Sequence, residues 1–118
     1  MAVAKKLIAK PFVGRWRITE METWPQDYVD LDGPGHITIK AGRSGELEFG
    51  AIIGFIDYRI GTGANGSRLE FSWDGEDETD PISGRGWAEV RDGRLRGRLF
   101  IHNGDESGFV AKRERRAI

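Results

Sequence analysis

Seventeen glycines break this chain at short intervals, and between them the apolar residues alternate with polar ones rather than recurring every third or fourth position. Alternation with a period of two is the signature of extended strands with one face in a core. Ile37/Ile39, Leu47/Phe49/Ala51, Ile56/Tyr58/Ile60 and Leu69/Phe71/Trp73 each line one such face. Strands are expected over 13–23, 36–40, 46–51, 55–60, 68–73, 85–91, 95–102 and 107–113. Asn65-Gly66, Asp92-Gly93 and Asn103-Gly104 supply dipeptides that accept positive φ at both centres of a type I′ hairpin turn. One bent strand fits 46–60 as well as two, so the count is seven or eight. A single helical turn is expected at "WPQDYVD", where Pro25 suits a first helical position.

A sheet of that many twisted strands tends to close, because closure removes exposed edges. The expectation is therefore an all-β fold: a small antiparallel meander, closed or strongly curled into a barrel. With 118 residues the chain has the size of one domain, 1–118. Residues 1–12 are read as an extension packing on the outside or at a dimer contact. Inward residues as large as Trp, Phe and Leu on so few strands predict a mostly filled interior.

One register follows from a turn at Asp92-Gly93. Val90 then faces Leu95, Ala88 faces Gly97 and Gly86 faces Leu99 on the inner side, while Glu89 faces Arg96 and Trp87 faces Arg98 outside. Phe100 also lies outside. This explains the alternation Arg94, Arg96, Arg98 by ion pairing and cation–π contact, without a nucleic acid.

Composition narrows the function classes. A net charge of −1 provides no global field for nucleic acid or an anionic membrane. No cysteine is present, which excludes thiolate nucleophiles, disulfides and cysteine-ligated zinc, and makes a reducing cytoplasm the expected location. The opening "MAVAKKLIAKPF" carries lysines where a signal peptide needs its apolar run, so it reads as neither leader nor membrane span.

Two resemblances add to this reading. "GRW", Gly14 to Trp16, resembles the Gly-x-Trp signature on the first strand of lipocalin and related calycin barrels. That resemblance implies a late-strand arginine packed across the tryptophan, with Arg113 the candidate. "GRWRITEMETWPQDYVDL", "SWDGEDETDPISGRGWA" and "IHNGDESGFVAKR" together resemble a family of short bacterial proteins of uncharacterised function. This second likeness implies a single-domain cytoplasmic protein and carries no catalytic residue or cofactor with it.

Among local motifs, "GTGANG" (61–66) matches G-x-G-x-x-G letter for letter, but the strand Leu69/Phe71/Trp73 follows it where a dinucleotide fingerprint needs a helix. It reads as a hairpin loop. His36 and His102 sit on distant strands and lack metal-ligand spacing. Five carboxylates fall within 74–80, yet counting from Asp74 the EF-hand glycine and glutamate positions hold Thr79 and Arg85. No metal or cofactor is expected. No serine lies in a G-x-S-x-G elbow. Glu20 shares strand parity with Trp16 and Ile18, so it is expected to point inward, where a carboxylate needs a partner such as Arg113 or Arg85.

These observations favour a non-catalytic module that binds a small molecule or a protein. Its site is expected at the barrel mouth, formed by Trp16, Glu20, Trp24, Tyr28, Trp73, Asp77, Glu78, Asp80 and Arg85. The acidic stretch is read as a loop of about ten residues on one rim, a length that favours function. Aromatics beside carboxylates suit a small polar or cationic ligand. Two alternatives are a carboxylate- or metal-assisted hydrolase or isomerase using Glu20 or residues 74–80, and a structural homodimer built on an outer aromatic patch that includes Phe100.

Overall fold

The computed structural model describes residues 9–114. Eight antiparallel strands follow one another around a closed barrel: β1 (Gly14–Met21), β2 (His36–Lys40), β3 (Ser44–Phe49), β4 (Ile52–Gly63), β5 (Gly66–Asp77), β6 (Asp80–Arg91), β7 (Arg94–Ile101) and β8 (Glu106–Arg113). The first and last strands pair, with Trp16 opposite Arg113. Glycine decides the strand count: Gly50 at φ +59° turns the chain so that β3 and β4 are separate. The β6–β7 register is the one that an Asp92-Gly93 turn dictates, from Val90 opposite Leu95 to Gly86 opposite Leu99. Both turn residues have positive φ. By contrast the β4–β5 turn centres on Ala64 and Asn65, with Gly66 at φ +109° already paired to Gly63.

The interior is built by setting rings against glycines. A Cβ at Gly54 or Gly84 would stand 2.8 Å from the Trp73 indole, and one at Gly86 would run into the Phe71 ring. Around the axis Ile37, Ile39, Leu69, Phe71, Ala88, Leu95 and Phe109 meet closely enough to leave no room for a water molecule. Filling by close packing keeps dispersion contacts that any void would forfeit.

Each end of the barrel is stopped by a different segment. At the base, Phe12 is buried and its carbonyl accepts the Trp16 Nε1–H bond at 2.8 Å. Phe12 therefore belongs to the core rather than to an outer extension; residues 1–8 of that expected extension lie outside the described residues. The other end receives the β1–β2 connection, which contains the short helix α1 (Gln26–Val29) preceded by Pro25. Val29 is fully buried, Trp24 packs on Phe49 with ring centroids 5.3 Å apart, and Tyr28 lies against Gly50. Asp30 ties this plug to β1 through a two-pronged ion pair with Arg17, at 2.8 and 2.9 Å.

Candidate functional site

At the Gly-x-Trp tripeptide the geometry matches what the barrel resemblance implies. The Arg113 guanidinium lies 4.3 Å from the Trp16 ring centre and donates to the carbonyls of Val13 and Pro11, each at 2.7 Å. Gly14 has φ +139°, and a Cβ there would stand 2.6 Å from Arg113 Nη1. These residues seal the base. Trp16 is therefore structural, too buried to touch a ligand.

The expected mouth is not open. Trp24 and Tyr28 fill it instead of rimming it, and Trp73 points inward and is buried. The Trp73 indole N–H is buried with no acceptor among the described residues.

Glu20 also lies elsewhere than its parity suggests. The β1–β8 register shifts between Ile18 and Glu20, which pair with Ala111 and Val110. Thr19 is the extra residue of this bulge, and one inserted residue reverses every side chain after it. Met21 turns inward and Glu20 stands exposed on the outer wall. The desolvation argument for Glu20 as a buried acid falls with that change.

The acidic stretch is a strand pair and not a long loop. Pairing between β5 and β6 continues from Leu69–Ala88 to Asp77–Asp80, leaving only Glu78 and Thr79 as the turn, with Glu78 at φ +60°. Residues 74–77 are flanked on the other side by β4, where Asp77 pairs with Ile52. The Glu78 amide donates to the Ala51 carbonyl at 3.2 Å, leaning the tip on the β3–β4 turn. Among the described residues no three carboxylates or histidines converge as a metal site.

Of the expected site residues, Arg85 borders the groove across β5, β6 and β7, Trp73 one beside Phe55 and Asp74, and Glu20 one beside Trp87 and Arg98. Ser72 of β5, Arg85 of β6 and Phe100 of β7 form one outward row across the sheet. With Ser83, Gly84, Ile101, His102 and Asn103 they line an open groove of about 550 Å³, within the roughly 300–1,000 Å³ typical of small-molecule sites. Small side chains at 72, 83 and 84 form the hollow; Phe100 and Ile101 supply an apolar wall. The Arg85 guanidinium lies 4.5 Å from the Phe100 ring centre. Glu20 borders a different groove with Glu22, Trp87, Arg96 and Arg98, and Asp77 is at the hairpin tip. Glu20, Asp77 and Arg85 thus do not meet in one pocket.

No family model matches this chain, and no curated protein is significantly similar to it. Its chemistry must be read from its own side chains.

Two other outer arginines, Arg68 and Arg98, are engaged. Arg68 grips the buried Glu89 at 2.9 Å and stacks on Trp87 at 4.1 Å; Arg98 reaches Glu22 and Glu106, both at 3.0 Å. Glu89 pairs with Arg68, which follows the Leu69–Ala88 pair on the β5 side, rather than with the Arg96 opposite it on β7. Gly108 N–H and Arg98 hold the Glu22 carboxyl below its ordinary range. The outer aromatics Trp87 and Phe100 are each covered by an arginine, which breaks the expected apolar patch; among the described residues the large apolar side chains left exposed are Leu31, Ile53 and Phe55. Groove-lining serines and His102 carry no sequence signal beyond their types. Strand parity places Ser72, Ser83 and Arg85 on one face, and that alone marks the row.

Proposed function

We propose that this chain is a non-catalytic binding module whose recognition surface is the outer wall of the barrel. The observation that carries this reading is the combination of a filled, stopped interior with an open groove across β5, β6 and β7. A ligand entering the axis would have to displace core side chains, each of which contributes roughly 1.5–3 kcal/mol by its burial. A ligand on the wall displaces only water. Exposure of Glu20 and separation of the carboxylates along strands favour binding over acid–base chemistry. Lack of cysteine and the likeness to short bacterial proteins fit work in a reducing cytoplasm.

Amide chemical-shift mapping against mixtures of small polar, anionic and cationic compounds tests the reading. Shifts should gather at Ser72, Ser83, Arg85, Phe100 and His102 and leave Ile37, Leu69 and Leu95 unmoved. Shifts centred on those three interior residues would refute it.

A further inference from the structure

We propose that the Arg85 groove binds a small molecule carrying a carboxylate or phosphate beside a flat apolar body. This rests on the outer-wall reading and adds the sign and shape of the ligand. Five arginines on the barrel, Arg15, Arg17, Arg59, Arg68 and Arg98, each hold a carboxylate, and the stacked Arg113 is bonded to two carbonyls. Arg85 is stacked like Arg68 and Arg113 but has no acceptor among the described residues. Its planar fork is oriented by Phe100 with its N–H donors free, the arrangement that takes a two-oxygen anion with little ordering cost.

The surroundings agree in charge. No Asp or Glu lines this groove, in a chain with nineteen of them. Ser72, Ser83, His102 and Asn103 surround it with groups able to donate hydrogen bonds to an anion. Arg85 also borders the adjoining groove that contains Asp57 and Glu70. Asp57 is held by Arg59 at 2.9 Å, Glu106 beyond Phe100 is held by Arg98 at 3.0 Å, and Arg85 leans onto β7, away from Glu70 on β5. Asp74, opposite Ser83, borders another groove with Phe55 and Trp73. Phe100 and Ile101 give the ligand's flat body an apolar wall.

Titration calorimetry on the full chain with phenyl phosphate, benzoate and benzylamine tests this. At least one of the two anions should bind saturably, which separates the phosphate from the carboxylate source, and benzylamine should not bind. Arg85→Met should weaken the anion at least about tenfold, as loss of a charge-assisted pair does. Arg85→Lys, which keeps the charge and loses the fork, should fall between. Unfolding midpoints of both variants should stay near that of the unaltered chain, since Arg85 is exposed. Binding of neither anion, or equal binding by Arg85→Met, would overturn the inference. Benzylamine binding that shifts the Ser83 and His102 amides would overturn it too, while leaving the outer-wall reading intact.

Discussion

At the scale of single residues, Gly14, Trp16 and Arg113 act as one device. The glycine supplies both a backbone angle that side chains resist and the space in which Arg113 lies over the indole. Arg113→Ala removes a cation–π contact and two carbonyl bonds, and should lower stability by about 1–3 kcal/mol. Gly14→Ala should cost a similar amount by displacing the same guanidinium. Denaturant midpoints check both, and a change under about 0.3 kcal/mol in either would contradict the assignment. Asp30 gives a pH-dependent counterpart. The Arg17 hydrogen bonds hold its carboxyl down at about 2, against an ordinary 3.8, with burial opposing and Gly35 N–H assisting. Because the folded value is depressed, the stabilisation is complete above the ordinary value and disappears as pH falls through about 2. With the side chain about a quarter exposed, its worth is about 1–2 kcal/mol. Asp30→Asn should therefore be less stable than the unaltered chain at neutral pH, and the gap should close on acidification. A gap constant down to about pH 2 would contradict the assignment.

Individual elements show where sequence reasoning reaches and where it stops. The β6–β7 hairpin is legible residue by residue because Asp92-Gly93 fixes its turn locally and alternation then fixes every partner. Thr19 is not legible, since a bulge exists only in relation to the neighbouring strand, and nothing in "RWRITEM" marks it. That one residue inverted the reading of Glu20. Deleting Thr19 should remove the bulge and restore strict alternation with Glu20 still outward and Met21 still inward, so the variant should unfold cooperatively and lose no more than about 1–3 kcal/mol. Loss of cooperative unfolding in the deletion variant, as turning Glu20 inward and Met21 outward would cause, would refute the bulge. Residues 74–80 hide their strand for a different reason: dense charge resembles a loop, whereas strands with a solvated outer face accept carboxylates at every second position. Of the candidate site, Arg85 and its row-mates could be placed outward from parity. The groove itself could not, because it arises from small side chains at 72, 83 and 84 standing beside Phe100 across three strands.

At the level of the whole molecule, the closed sheet solves the edge problem and the two stops solve the problem of the ends. Phe12 and Arg113 seal the base, and Trp24, Tyr28 and Val29 seal the other end. The closed eight-stranded architecture is compatible with the Gly-x-Trp resemblance, and the barrel interior is occupied by Trp73, Phe71 and Phe109. On the reading proposed above, recognition lies on the wall, where β5, β6 and β7 offer a groove with one stacked guanidinium that has no acceptor among the described residues. The most direct test of a sealed barrel that binds on its wall is a crystal structure grown with phenyl phosphate. The account predicts the phosphate on Arg85 with the phenyl ring beside Phe100, and an axis still filled by side chains. A ligand lying along the barrel axis, with Trp24 and Tyr28 swung away from Phe49 and Gly50, would contradict it.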